Sequence, residues 1–307
     1  MLKTAFLFPG QGSQVTGMGR DLADAFQASK AVFEQADEAL GFSISKLCFE
    51  GPDEDLRLTE NTQPAILTCS IAALAAVREK GLEADYVAGH SLGEYSALVA
   101  AEAVDFADAV RLVRRRGRYM QEAVPSGEGA MAALIGLEPE KLDEICREAA
   151  QGEVVSPANL NSPNQSVIAG AAGAVERAVE LAKSAGAKKA VMLAVSAPFH
   201  CELMAPARDR LAPELDAIEF RDLKIPLINN CDAREVRSGG EAREGLKKQI
   251  PSPVRWDDSM RRLIAAGVDR YVEVGPGRVL GGLLRSIDRS LKAASAGTVE
   301  RVEQLEI

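Results

Sequence analysis

Residues 86–101 constrain the fold more than any other stretch. Tyr86-Val87-Ala88 is a short apolar run with strand character, Gly89-His90-Ser91-Leu92-Gly93 follows, and Glu94 to Ala101 reads as a helix. Gly-x-Ser-x-Gly between a strand and a helix is a nucleophile elbow. The sharp turn holds the serine in a strained backbone conformation, and the flanking glycines carry no Cβ to collide with strand or helix. Oγ then projects above the sheet edge, and the following helix aims its N-terminal N–H groups at the same point. A chain built this way needs a parallel sheet with helices packed on it.

The remaining pattern agrees. Ala5 to Phe8 reads as a buried strand, followed by the tight loop Pro9-Gly10-Gln11-Gly12-Ser13-Gln14. Helical periodicity runs from Asp21 to Leu40. A second helix is expected from Pro64 to Lys80, with the proline in its first turn and Gly81 as C-cap. Another helix spans Phe106 to Ala123. Residues 129–195 form a compact series: strand 130–135, helix 138–150, strands 153–158 and 165–169 joined through Asn159-Leu160-Asn161-Ser162-Pro163-Asn164, helix 174–185 and strand 189–195. Strand-helix-strand-strand-helix-strand is the ferredoxin-like split βαβ unit. It lies between Pro125-Ser126-Gly127 and Ser196-Ala197-Pro198, so residues 127–197 read as an insertion into a larger α/β core formed by 1–126 and 198–307. In the remainder, helix 205–217, strand 226–229, helices 241–250 and 257–266, strand 271–274, the loop Gly275-Pro276-Gly277 and helix 278–287 follow. The last ten or so residues are expected to fray. The alternation implies a mostly parallel sheet covered by helices.

Composition removes several function classes. A net charge of −9 argues against non-specific nucleic-acid binding. The start, Met1 to Phe8, resembles a signal peptide, but its apolar run stops at Pro9, and it reads as the first strand. No run approaches the ~20 apolar residues of a membrane span. The five cysteines Cys48, Cys69, Cys146, Cys201 and Cys231 show no Cys-x-x-Cys spacing and read as reduced, buried thiols of a cytoplasmic protein. Only two histidines are present, His90 and His200. No metal site is expected from so few ligands, nor is any other cofactor.

The same scarcity assigns a base. A serine hydroxyl needs a proton acceptor, usually histidine, and something to orient it. His90 adjoins Ser91, and neighbouring side chains diverge in such a turn. His200, in Ser196-Ala197-Pro198-Phe199-His200-Cys201, is the remaining candidate general base. The Gly10 loop is neither a dinucleotide fingerprint, since position 15 is Val15, nor a P-loop, since no Gly-Lys-Ser/Thr follows. Such a loop after a strand can present a backbone N–H to a developing oxyanion, and Leu92, the residue after the nucleophile, supplies a second. In the basic run Arg111 to Arg118, residues Arg111, Arg114, Arg115, Arg118 and Glu122 share one helical stripe, the expected exposed face. Arg116 falls off it, between Ala109, Leu112, Met120 and Ala123. A guanidinium there needs a partner, either a substrate carboxylate held bidentately or a buried protein Asp or Glu. The helix pattern does not choose between them.

Together, Phe8-Pro9-Gly10-Gln11-Gly12-Ser13-Gln14, Gly89-His90-Ser91-Leu92-Gly93-Glu94-Tyr95, Arg116-Gly117, Phe199-His200, Gln249 and Val272-Glu273-Val274-Gly275-Pro276-Gly277 resemble the malonyl-CoA:acyl carrier protein transacylases of type II fatty acid synthesis, over nearly the whole chain. The resemblance implies an α/β, hydrolase-like parallel-sheet core with an inserted ferredoxin-like (βαββαβ) subdomain. It implies Ser91 as acyl-carrying nucleophile, His200 as base and then acid, and the main-chain N–H groups of Gln11 and Leu92 as oxyanion hole. Arg116 would clamp the malonate carboxylate, and Gln249 would orient His200 through a carbonyl. Phe199 fits a malonyl pocket better than one for a branched extender. The implied partners are malonyl-CoA and phosphopantetheinylated acyl carrier protein, with no nucleic acid and no membrane, and the chain is read as a monomer. An acidic carrier would dock on a local basic patch, for which Lys188-Lys189 and the arginine stripe of 106–123 are candidates.

Two other readings stay open at this level. A serine esterase or thioesterase would place Ser, Asp/Glu and His in that order. Here most of the interval between Ser91 and His200 is the insertion, and Gln249 follows the histidine, although Asp105, Asp108 and Glu128 do lie between. A carrier-binding module without catalysis would not need an intact Ser91, His200 and oxyanion loop.

Overall fold

The computed structural model describes residues 2–195 and 197–306. Strand β1 (Thr4–Phe8) is followed by helices α1 (Arg20–Ala25), α2 (Gln27–Leu40), α3 (Ile44–Glu50), α4 (Asp53–Arg57) and α5 (Thr59–Glu79). Strand β2 (Tyr86–Gly89) leads into α6 (Gly93–Ala100), then α7 (Phe106–Glu122). The second unit contains β3 (Gly129–Ile135), α8 (Pro139–Ala150), β4 (Val155–Ser162), β5 (Gln165–Ala171), α9 (Ala172–Ser184) and β6 (Lys189–Met192). The chain then returns through α10 (Ala205–Ala217), β7 (Leu227–Ile228), β8 (Glu235–Val236), α11 (Gly239–Gln249), α12 (Trp256–Ala265), β9 (Arg270–Glu273), α13 (Val279–Ile287), β10 (Ala293–Ser295) and α14 (Val299–Glu303).

The large sheet runs β10-β9-β1-β2-β7-β8 and is parallel except for the β7–β8 pair. All five β1 residues are buried, as a central parallel strand with helices on both faces demands. With β2 on one side of β1 and β9 on the other, the loops after β1 and β2 open at the switch of winding direction, where α/β sheets form their ligand crevice. The small sheet runs β4-β5-β3-β6, all antiparallel, which is the ferredoxin-like order. It has its own core, in which Leu134, Leu142, Ile145, Ile168 and Val175 meet. Met131, next to Ala132 on β3, points the other way and joins the large core.

Several expected boundaries move. The helix expected over 21–40 breaks at Phe26, which is extended (φ −119, ψ 119) and turns its ring onto the core. Helix α5 begins at Thr59, so Pro64 lies inside it and not in its first turn; its missing N–H leaves out only the bond toward the Glu60 carbonyl. The strand expected over 226–229 pairs at Leu227–Ile228 alone. The C-terminal segment is not frayed: α14 buries Val302, and Asp21 accepts the Val299 N–H at 2.8 Å. Ser196, at the expected end of the insertion, lies outside the described residues. Among the described residues no helix is long and apolar enough to cross a membrane.

Candidate active site

Ser91 has φ 51, the left-handed strain expected of an elbow nucleophile. The reason is steric. A Cβ on Gly89 would overlap the Gly93 carbonyl, and a Cβ on Gly93 would overlap the Phe8 carbonyl oxygen. Strand β1, strand β2 and the start of α6 therefore approach as closely as backbones can. His90 is steered away from Ser91, its N–H bonding the Phe8 carbonyl (3.0 Å) and its Nε2 meeting Asn161 Oδ1 at 2.8 Å. Burial lowers its pKa.

Ser91 Oγ instead stands 2.6 Å from His200 Nε2. The other ring nitrogen, Nδ1, faces two main-chain carbonyls, Gln249 O at 3.1 Å and Ser252 O at 3.2 Å. Two acceptors on Nδ1 place the proton there and leave Nε2 free to accept from serine. Burial, reinforced by the nearby Arg116 charge, pushes the His200 pKa down to about 3, so the ring is neutral at physiological pH. The loop carrying these carbonyls is tied to the small unit, since Val254 N–H bonds Ala158 O (2.8 Å) and its carbonyl accepts from Leu160 N–H (2.9 Å).

Arg116 is 1% exposed. Gly117 allows its approach, because a Cβ there would overlap the Thr59 carbonyl of α5. The alternative of a buried Asp or Glu partner is not what the structure shows. Nη1 donates to Gln63 Oε1 (2.8 Å), and Nη2 donates to Gln249 Oε1 (2.9 Å) and Ser91 Oγ (3.1 Å). Nε is buried without a hydrogen-bond partner. All three acceptors are neutral, so a full positive charge stands beside the nucleophile with donors to spare. Burial lowers the Arg116 pKa.

Gln11, Ser91, Leu92, Arg116 and His200 line one cavity of about 140 Å³, closed by Gln63 and Met120 on the large unit and by Met131, Asn159, Leu193 and Val195 on the small one. Neither the Gln11 nor the Leu92 N–H has a hydrogen-bond acceptor among the described residues. Gln249 is buried behind the serine. Its side-chain Nε2 donates to Glu94 Oε2 (2.8 Å) and Ser91 O (3.0 Å), while its main-chain carbonyl meets His200. Phe199 lies in the same cavity wall.

Sequence reasoning missed Gln63, Asn230 and the side-chain work of Glu94. Asn230 Oδ1 accepts the Ser91 N–H at 2.7 Å, and its Nδ2 donates to Gly89 O at 2.7 Å, so it braces the elbow from the end of β7. The available signals were a charged Glu94 in an otherwise apolar helix start and a polar pair closing an apolar strand. The arginine stripe is exposed, as expected, but its charges are largely paired within the chain: Arg115 with Glu214, Arg118 with Glu122 and Arg111 with Asp108. Lys188 and Lys189 are exposed and enter no ion pair among the described residues.

A parallel α/β sheet with a serine elbow, a neutral histidine at hydrogen-bond distance and open backbone donors defines the class of serine-nucleophile acyl-transfer enzymes, hydrolases included. The acyl transferase domain family matches residues 5–304. The chain is 50% identical to the malonyl CoA-acyl carrier protein transacylase of Bacillus subtilis, over 99% of this chain and 96% of that one, and 50% identical to that of Escherichia coli, over 96% of each. An acyl carrier protein S-malonyltransferase from Vibrio cholerae superposes with a TM-score of 0.97 at 48% identity, covering 99% of this chain and all of that one. A malonyl-transacylase solved in complex with its type II PKS acyl-carrier protein gives 0.96 at 48% identity over 98% of each chain. The chain belongs to the malonyl CoA-acyl carrier protein transacylase family.

Proposed function

We propose that this chain transfers the malonyl group of malonyl-CoA to the phosphopantetheine thiol of acyl carrier protein, in fatty acid biosynthesis, by a ping-pong route through a malonyl ester on Ser91. His200 Nε2 takes the Oγ proton as Oγ bonds the thioester carbon. The Gln11 and Leu92 N–H groups meet the resulting oxyanion. The intermediate collapses, the carbon–sulfur bond breaks, and His200 returns the proton to the CoA sulfur. The carrier thiol then gives its proton to His200, attacks the ester carbon and releases Ser91, which recovers the proton. The two carbonyls on Nδ1 orient the ring without the full counter-charge of an aspartate.

The observation that carries the reading is Arg116, a buried cation whose protein partners are all neutral and which reaches to 3.1 Å from the nucleophile. A free carboxylate on the acyl group is the missing anion. The cavity, about 140 Å³, compares with the ~150 Å³ that takes up benzene and suits a short acyl group. Residues 127–197 form the inserted unit and 1–126 with 198–307 the acyltransferase core. Five free cysteines suit a cytoplasmic protein. Mass spectrometry of the intact protein after brief exposure to malonyl-CoA, then to holo acyl carrier protein, tests this. A malonyl adduct on Ser91 that disappears on adding the carrier is the expected result. An adduct that is lost equally fast to water alone would favour a thioesterase, and no adduct would favour a binding module.

A further inference from the structure

Glu94 is the next residue after the elbow and is 1% exposed, yet it forms no ion pair with any Lys or Arg among the described residues. Its Oε2 accepts from Gln249 Nε2 at 2.8 Å and from the Asn230 main-chain N–H at 3.0 Å. Those two residues are the ones that hold the reacting groups. Asn230 fixes the nucleophile's backbone N–H, and Gln249 offers its Oε1 to Arg116 while its Nε2 meets Ser91 O and, at 3.3 Å, Asn230 Oδ1.

The Gln249 amide can face Arg116 with its oxygen or, rotated end for end, with its NH₂. Arg116 carries donors only, so the second orientation sets donor against donor. Glu94 favours the first from the opposite side, because its Oε2, already accepting from the Asn230 N–H, offers Gln249 an acceptor and not a donor. We infer that Glu94 is a positioning residue for acyl selection: through the Gln249 amide it holds the Arg116 guanidinium in the orientation that receives a substrate carboxylate. The inference rests on the malonyl-transfer reading. It also accounts for where the negative charge sits. A carboxylate bonded to Arg116 would compete with the substrate, whereas one separated by a neutral amide offsets part of the cost of burying the guanidinium and leaves its free donors open. Burial raises the Glu94 pKa to about 7, in keeping with a carboxylate that has no cation in direct contact.

Glu94→Gln tests this at constant shape. An amide at position 94 removes the charge and one of the two acceptor oxygens, so Gln249 is held less firmly, with the Ser91 carbonyl as its remaining main-chain acceptor. In a competition between malonyl-CoA and acetyl-CoA, read as the ratio of the two Ser91 adducts, Glu94→Gln is expected to lower the malonyl-over-acetyl preference about tenfold, in the range of couplings within one hydrogen-bond network. Made in an Arg116→Ala background, the same change should alter the ratio by less than about twofold. An unchanged ratio in the single variant, or an equal loss with both acyl groups, overturns the inference. Should Glu94→Gln fail to fold, Glu94→Asp, which withdraws the acceptor from Gln249 Nε2 and leaves the Gln249–Arg116 bond in place, must show the same selective loss. The wild-type adduct keeps the two readings apart. If wild type forms no malonyl-serine, malonyl transfer itself fails; if it does and the variants keep the wild-type ratio, only the role of Glu94 fails.

Discussion

Ser91 and Arg116 lie within hydrogen-bond distance of each other, but different kinds of contact position them. The elbow is shaped by main chain against main chain, with no room for a Cβ on Gly89 or Gly93. The guanidinium is held by side-chain amides, Gln63 and Gln249, reaching in from α5 and α11. A backbone-defined geometry tolerates no local change and is written in a short motif. A geometry defined by side-chain amides is spread over the chain and can be adjusted one residue at a time. The proposed acyl transfer would draw on both, a nucleophile that does not move and a cation that meets the acyl group.

Each kind of contact can be removed by substitution. The largest effect is expected from Ser91→Ala, which should cut transfer by a factor on the order of 10⁴ or more with the fold intact, as removal of a residue acting in a catalytic unit does. Retained malonylation would show that another residue carries the acyl group. Gly93→Ala should cost more than about 3 kcal/mol, beyond ordinary overpacking, because the Phe8 carbonyl belongs to a central strand and cannot withdraw. Urea denaturation measures this, and wild-type stability would mean that the strand contact does not set the elbow. Arg116→Ala should reduce the malonyl-over-acetyl preference by about a hundredfold, the size of a pair of hydrogen bonds to a charged group. A ratio that does not move would remove the clamp.

The smallest effect is a tilt in the pH dependence of stability. His200 is held near 3, below its ordinary 6.5, so between those values the unfolded chain binds the extra proton and stability is lost as pH falls. Glu94 is raised from 4.5 to about 7, so the folded chain binds the extra proton there and stability is lost as pH rises. Between pH 4.5 and 6.5 the two oppose each other. Glu94→Gln should therefore become more stable as pH rises through this window, and His200→Gln less stable, each by about 1 kcal/mol per pH unit. Thermal denaturation of both variants from pH 4.5 to 6.5 would show slopes of opposite sign; equal slopes would contradict the two burial effects.

What could be read from sequence follows the same division. The elbow, the alternation of strands and helices, and the ferredoxin-like order come from local pattern, and local pattern carried them. His200 emerged because only one other histidine existed. The interior of α5 did not, because Pro64 looks like a helix start until Leu56, Thr59 and Thr62 are seen buried around it. The break at Phe26 was hidden because the ring turns to a core assembled from distant segments. Gln63, Asn230 and Glu94 were silent as site residues for the same reason. An amide or carboxylate in an apolar run gains its meaning from acceptors and donors that arrive from other strands and helices.

One wall of the acyl cavity comes from Met131, Leu193 and Val195, side chains of a unit with a separate core and a separate sheet. The nucleophile, its base and the guanidinium all come from the other unit. The chemistry thus comes from one unit, and the fit is shared, with Gln63, Met120 and Phe199 of the large unit facing this wall. Drift in the inserted stretch can enlarge or narrow the space for the acyl chain while the elbow is inherited unchanged, and a laboratory search for altered acyl range has the fewest ways to lose activity if its library is confined to those wall positions.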